Sequence, residues 1–175
     1  MILMKIFILS ILIIIYSTIL KSAQLKFEAY GYSSSEIFNI SDQHIFYHYS
    51  DRFIFTTNAG ISGEGNCKGI VEVVNGQQSS NLVCKAREEN GDTHHTQFKA
   101  IANYDSSTQG TQTFTYLSGE GRWKELVGQK CIGASSSINS KIVGNETYKE
   151  TYIWVGKCNI PDASLERFIN YKKPE

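Results

Sequence analysis

Past its first two dozen residues the chain is a succession of short runs in which apolar and polar positions alternate, separated by glycine, asparagine and serine. Alternation with period two places successive side chains on opposite faces of a strand. Residues 25–32 (LKFEAYGY) read as a first strand, ended by Ser33-Ser34-Ser35. Residues 44–57 (HIFYHYSDRFIFTT) alternate on both sides of a break at Ser50-Asp51, giving one long bent strand or two short ones. In either case His44, Phe46 and His48 share one face, and Ile45, Tyr47 and Tyr49 the other. Strands over 67–74 and 81–87 flank Asn75-Gly76, a two-residue hairpin turn, because both of its positions take positive φ and Asn and Gly tolerate that best. Glu89-Asn90-Gly91 turns the chain again, and as a three-residue loop it pairs Leu82 with Phe98 and Cys84 with Thr96. A strand over 93–104, a loop over 105–110, a strand from 131 to 139, a turn before or at Gly144-Asn145 and a last strand over 147–158 complete the series.

Residues 111–131 (TQTFTYLSGEGRWKELVGQKC) are the stretch on which the fold turns. The alternation up to Ser118-Gly119, followed by a return through Gly121, Trp123 and Gly128, predicts a hairpin. Its glycines mark the bends that closing a sheet requires. With 14 Gly and only 2 Pro in 175 residues, the prediction is an all-β chain: a single antiparallel β-barrel of about eight strands. The tail from 161 differs. Asp162 or Ser164 caps a short C-terminal helix whose Leu165, Phe168 and Ile169 form an apolar stripe that covers a sheet edge or one barrel end.

Residues 1–23 (MILMKIFILSILIIIYSTILKSA) carry Lys5, an apolar run over 6–20, and small residues at Ser22 and Ala23, the plan of a signal peptide. A membrane anchor is the alternative, but a run of 15 residues falls short of the ~20 that span a bilayer. The prediction is a leader over 1–23 cleaved after Ser22 or Ala23, and one domain over 24–175 that is secreted or periplasmic, with no membrane span after cleavage.

In an exported chain the four cysteines Cys67, Cys84, Cys131 and Cys158 predict two disulfides. Pairing outward from Asn75-Gly76 sets Val74 opposite Gln77 and Cys67 opposite Cys84, on a non-hydrogen-bonded pair where side chains come closest. Cys131 and Cys158 lie symmetrically about Gly144-Asn145, but on a hydrogen-bonded pair, so a bulge or a longer loop has to adjust the register. The spacings contain no Cys-x-x-Cys, which argues against zinc and against redox chemistry.

Charge narrows the function classes. Lys and Arg number 17 and Asp and Glu 17; without Lys5 and Lys21 the basic count falls to 15, a slightly acidic mature chain. Nucleic acid is excluded as a partner, since phosphate binding needs clustered basic residues. Residues 58–65 (NAGISGEG) lack the Lys-Ser/Thr of a phosphate loop and read as turn and strand bend. His44 and His48, about 13 Å apart on a strand, do not share a metal. His94 and His95 fall on opposite strand faces, so at most one points inward. No cofactor or metal is predicted. Asn39-Ile40-Ser41 and Asn145-Glu146-Thr147 match the N-glycosylation acceptor pattern.

Several segments carry a resemblance: Gly65-Asn66-Cys67-Lys68-Gly69, Val83-Cys84, residues 114–124 (FTYLSGEGRWK), Gly128-Gln129-Lys130-Cys131 and Lys157-Cys158. Together they resemble a group of small exported bacterial proteins of uncharacterised function with paired cysteines and a G-x-G-x-aromatic-K motif. Glu120 stands where that group usually has Thr. The same glycine-aromatic-glycine plan is similar to the last third of the allene oxide cyclase and dirigent proteins, which implies an eight-stranded barrel and carries no functional residue over.

Three functions follow as expectations. The first is a secreted binding module whose interior takes a small apolar ligand, with Tyr104, Phe114, Tyr116, Trp123 and Trp154 as candidate lining residues. The second is a cofactor-free, cyclase-like or dirigent-like enzyme, which requires an inward ionisable cluster such as His94 or His95 with Tyr104 and Asp105. The third is a structural envelope protein whose exposed Tyr and Thr face meets a partner.

Overall fold

The computed structural model describes residues 22–103, 110–144 and 146–174. The apolar run of the predicted leader, Tyr104, Asp105 and Asn145 lie outside the described residues. In chain order the elements are β1 (Ser22–Ser41), β2 (His44–Thr57), β3 (Ser62–Val74), β4 (Gln77–Glu88), β5 (Thr93–Asn103) and β6 (Gly110–Gly119). A 3-10 helix (Gly121–Leu126), β7 (Lys130–Val143), β8 (Thr147–Pro161) and α1 (Asp162–Asn170) follow. Each strand pairs antiparallel with the next, and β8 pairs back onto β1, so the eight strands form one sheet closed in a ring. The expected eight antiparallel strands and C-terminal helix are present.

The local chemistry explains most of the register. Asn75 and Gly76 take φ of 51° and 74°, the positive values that a two-residue hairpin turn demands. Val74 then faces Gln77 and Cys67 faces Cys84, and those two cysteines are bonded. The loop at 89–91 pairs Leu82 with Phe98 and Cys84 with Thr96, as turn geometry predicts. The Cys131–Cys158 bond also forms. Val143 pairs with Thr147, which makes residues 144–146 a three-residue connection rather than a two-residue turn. A register shift between Ser137 and Asn139 then restores the offset. The bulge leaves Ile138 as the extra residue and brings the two cysteines to a Cα separation of 4.5 Å, the close spacing of a non-hydrogen-bonded pair.

Three expectations are corrected. Ser33-Ser34-Ser35 do not end the first strand: β1 runs on to Ser41, with Ser33 and Ser35 buried on its inner face. Ser50-Asp51 is no break, because β2 is continuous and Asp51 is buried in mid-strand. Residues 111–131 are not a simple hairpin, since the return begins only at Lys130 and the intervening 3-10 helix turns Trp123 and Leu126 inward.

That 3-10 helix and α1 close one end of the ring. Trp123, Leu126 and Phe168 are fully buried there with Leu25 and Ile160. The Trp123 and Phe168 rings meet edge to face at 5.2 Å. Burial of such rings is the main source of stability at this end. Trp123 Nε1 donates to Glu88 Oε2 at 2.9 Å, and Arg122 Nε lies 3.3 Å from Glu88 Oε1. Arg122 Nη1 also donates to the carbonyl of Phe168 at 3.0 Å, satisfying an orphan acceptor at the C-terminal end of α1 with a cation. The helix begins after Pro161 with no side-chain cap, so Asp162 is its first residue rather than its cap.

Candidate functional site

Above this floor the inner strand faces enclose a cavity of about 170 Å³. Its polar side is built by β1, β2 and β8. Ser33 is register-paired with Asp51 on one side and Glu150 on the other, so these three stand in one row across three strands. Tyr49 and Tyr152 lie two positions from Asp51 and Glu150 on the same inward faces and line the same cavity.

Asp51 is the centre of the cluster. Its Oδ2 accepts from Tyr152 Oη at 2.5 Å and from Tyr49 Oη at 3.0 Å, and its Oδ1 accepts from the Cys67 backbone N–H at 2.5 Å. Tyr152 reaches Asp51 by lying across Gly31, its register partner on β1. A Cβ on Gly31 would overlap the Tyr152 ring, so this position needs glycine for the space it leaves. Burial drives the Asp51 carboxyl above its ordinary range although the three donors pull it back, and it raises Glu150 as well. Burial also pushes the Tyr49 and Tyr152 hydroxyls upward, so both remain protonated donors.

The remaining wall is aromatic. Phe98 and Phe114 stack at 5.1 Å, Trp154 meets Phe114 edge to face at 5.1 Å, and Phe27 packs edge to face on Phe114 at 6.1 Å. Trp154 Nε1 is satisfied by Gln112 Oε1 at 3.2 Å. Toward the floor, His94 stacks on Trp123 with centroids 3.8 Å apart and meets Phe55 at 5.8 Å. Burial holds the His94 imidazole down to about 3, so it is neutral across the physiological range. Its Nδ1 is buried with no hydrogen-bond partner among the described residues, and neither has the Ser33 hydroxyl. Among the described residues no Lys or Arg lines the cavity.

Of the residues singled out from sequence, Phe114, Tyr116, Trp154 and His94 line this cavity. Trp123 lies beneath it as part of the floor. His95 turns to the other face, where its Nδ1 meets Ser118 Oγ at 3.0 Å, so the two histidines do take opposite faces. Tyr104 and Asp105, the partners expected for a histidine-centred cluster, lie outside the described residues. Among the described residues Asp51, Tyr49, Glu150 and Tyr152 form an inward ionisable cluster. Their signal was present in the alternation: Tyr49, Asp51, Phe53 and Phe55 share one face of β2, and Glu150, Tyr152 and Trp154 share one face of β8. Reading Asp51 as a break concealed it.

Among the described residues no group of three His, Cys, Asp or Glu could hold a metal ion, and no helix is long and apolar enough to cross a membrane. No protein-family model matches the chain, and no curated protein matches it. The families suggested by the glycine and cysteine motifs are thus not shown, and function has to be argued from the cavity itself.

Proposed function

We propose that the chain is an exported β-barrel that binds a small, predominantly apolar ligand in its interior. The observation that carries this reading is that the lumen is not filled by side chains: about 170 Å³ is left inside an aromatic wall. An apolar cavity of about 150 Å³ is enough to hold a benzene ring, so the fitting ligand is a single ring or a short branched chain. The row at Asp51 supplies the few polar contacts that orient such a ligand. The two disulfides fit an oxidising compartment, which agrees with a secreted or periplasmic location.

Mild purification followed by native mass spectrometry and organic extraction tests the reading, together with titration of the Trp154 fluorescence by small aromatics. The expected result is a saturable mass adduct or fluorescence change that Ala29→Phe, which fills the cavity, abolishes. Absence of binding by any single-ring compound in the folded protein would overturn it.

A cofactor-free enzyme is the second reading, supported by the same cluster. A desolvated carboxyl with a raised pKa beside two tyrosine donors is equipped for proton transfer in an apolar chamber. A third reading, an envelope-interaction protein, is supported by the exposed Phe38, Ile40, Ile142 and Val143 on the parts of β1 and β7 beside the 144–146 connection.

A further inference from the structure

The charge inside the cavity is one-signed. Asp51 and Glu150 both face it, the imidazole of His94 is neutral there, and among the described residues no Lys or Arg lines it. Hydrogen bonds from Tyr49, Tyr152 and the Cys67 N–H favour the charged form of Asp51 against the burial that opposes it, and they bring no counter-ion. A buried carboxylate with no counter-ion is costly, and a cation brought into the cavity offsets that cost. A carboxylate offers about four acceptor sites, and these three donors leave one of them, on Oδ1, for a ligand. The same cavity is lined by the aromatic rings of Tyr49, Tyr152, Phe53 and Trp154, and an organic cation is attracted to the faces of such rings. Two buried polar atoms have no hydrogen-bond partner among the described residues: the Ser33 hydroxyl, in register between Asp51 and Glu150, and the Nδ1 of His94, which lines the cavity toward the floor.

We propose that the ligand is a small organic cation, an ammonium group on a single apolar or aromatic ring, with its charge at the Asp51 carboxylate and its ring in the aromatic part of the cavity toward His94. This rests on the cavity-binding reading and narrows it to a substrate class. A neutral ring leaves the carboxylates uncompensated, and an anion is repelled by both. Selectivity therefore comes from the polar row, while the aromatic wall supplies contact that all three share.

The experiment compares three probes of similar shape, 2-phenylethylamine, 2-phenylethanol and 3-phenylpropionate, by calorimetry and Trp fluorescence at pH 7 on the full mature chain. The amine is expected to bind at least tenfold more tightly than the alcohol, and the carboxylate most weakly. Asp51→Asn keeps the side-chain shape and is expected to reduce the amine-to-alcohol ratio below about threefold, because the charge that tells the two probes apart is gone. Glu150→Gln, which breaks none of the Asp51 hydrogen bonds, is expected to lower the same ratio by a smaller factor, and it keeps the test alive if Asp51→Asn does not fold by near-UV circular dichroism. Equal affinity for amine and alcohol would overturn the cation assignment and leave the binding module standing. Binding of none of the three would overturn both.

Discussion

At the scale of single residues, Gly31 and Asp51 depend on one another. The Tyr152 ring occupies the space a side chain on Gly31 would need, and from there its hydroxyl reaches Asp51. Gly31→Ala is therefore expected to displace Tyr152 and strip the carboxylate of one donor. A lost hydrogen bond to a buried charged group costs about 1.5–3 kcal/mol. Denaturant unfolding should show a loss of at least that size, and Gly31→Ala/Tyr152→Phe should lose much less than the sum of the two single changes. Additive losses would mean that the ring and the glycine are independent. His94 gives a pH signature. Its folded pKa, about 3, lies below the ordinary 6.5 because the imidazole is buried and sits beside His95. The unfolded chain thus binds a proton that the folded chain refuses, and His94's contribution is complete above pH 6.5 and is lost as pH falls toward 3. The raised carboxyls of Asp51, Glu88 and Glu150 act in the opposite sense, so the effect has to be read as a difference. Stability of His94→Phe relative to the parent should rise by about 1.4 kcal/mol per pH unit between pH 6.5 and 3, measured by urea unfolding. A pH-independent difference would contradict the burial of a neutral imidazole.

At the scale of elements, the floor shows where sequence reading succeeds and where it stops. The turn at Asn75-Gly76 was legible because only residues that tolerate positive φ satisfy it, and the register of both cysteines in that hairpin followed. The apolar stripe of α1 was legible too: Phe168 is buried, Leu165 packs against the core, and Ile169 stays exposed at 46%. The 3-10 helix was not. Its Gly-x-Trp spacing copies the alternation of a strand, and what bends it inward is tertiary, the pull of Glu88 on Trp123 and Arg122. Ser33 and Ser35 were misread for a related reason. Serine signals a turn when it faces water, but on the inner face of a closed sheet Ser33 and Ser35 are buried strand residues. The floor also bears a direct test. Phe168→Ala removes a fully buried ring and should cost about 3–5 kcal/mol, a fall in Tm on the order of 10 °C for a chain of this size. Trp123→Phe keeps a ring but leaves Glu88 Oε2 without its donor, so it should cost about 1–3 kcal/mol. If Trp123→Phe is neutral, the Glu88 carboxylate is not what anchors the 3-10 helix.

At the scale of the whole molecule, the ring is unevenly joined. The β1–β8 ladder extends from Ser22↔Pro161 to Glu36↔Thr147, while β6–β7 extends only from Gly110↔Ser135 to Thr115↔Lys130. On its other side β6 meets β5 from His94↔Gly119 to Lys99↔Thr113, with a shift after His95. Among the described residues strand β6 is thus held by the two shortest ladders, and the aromatic rings of Phe114 and Tyr116 contribute what its backbone does not. The Cys131–Cys158 bond clamps β7 to β8 at the residue opposite Phe114, beside this seam. The Cys67–Cys84 bond clamps β3 to β4 away from it. Chain-entropy reasoning assigns each bond about 3 kcal/mol, so both double Cys→Ala variants should lose similar global stability. Their local effects should differ. Sub-global opening starts where few hydrogen bonds must break, so amides of β6 should exchange first in the parent. Removing Cys131–Cys158 should extend fast exchange to 130–143, and removing Cys67–Cys84 should leave that segment as protected as before, relative to global stability. Hydrogen-exchange mass spectrometry on peptides covering 110–119 and 130–143 reads this directly. Equal spreading in both variants would show that the ring opens as one cooperative unit and that the weak seam does not set where opening begins.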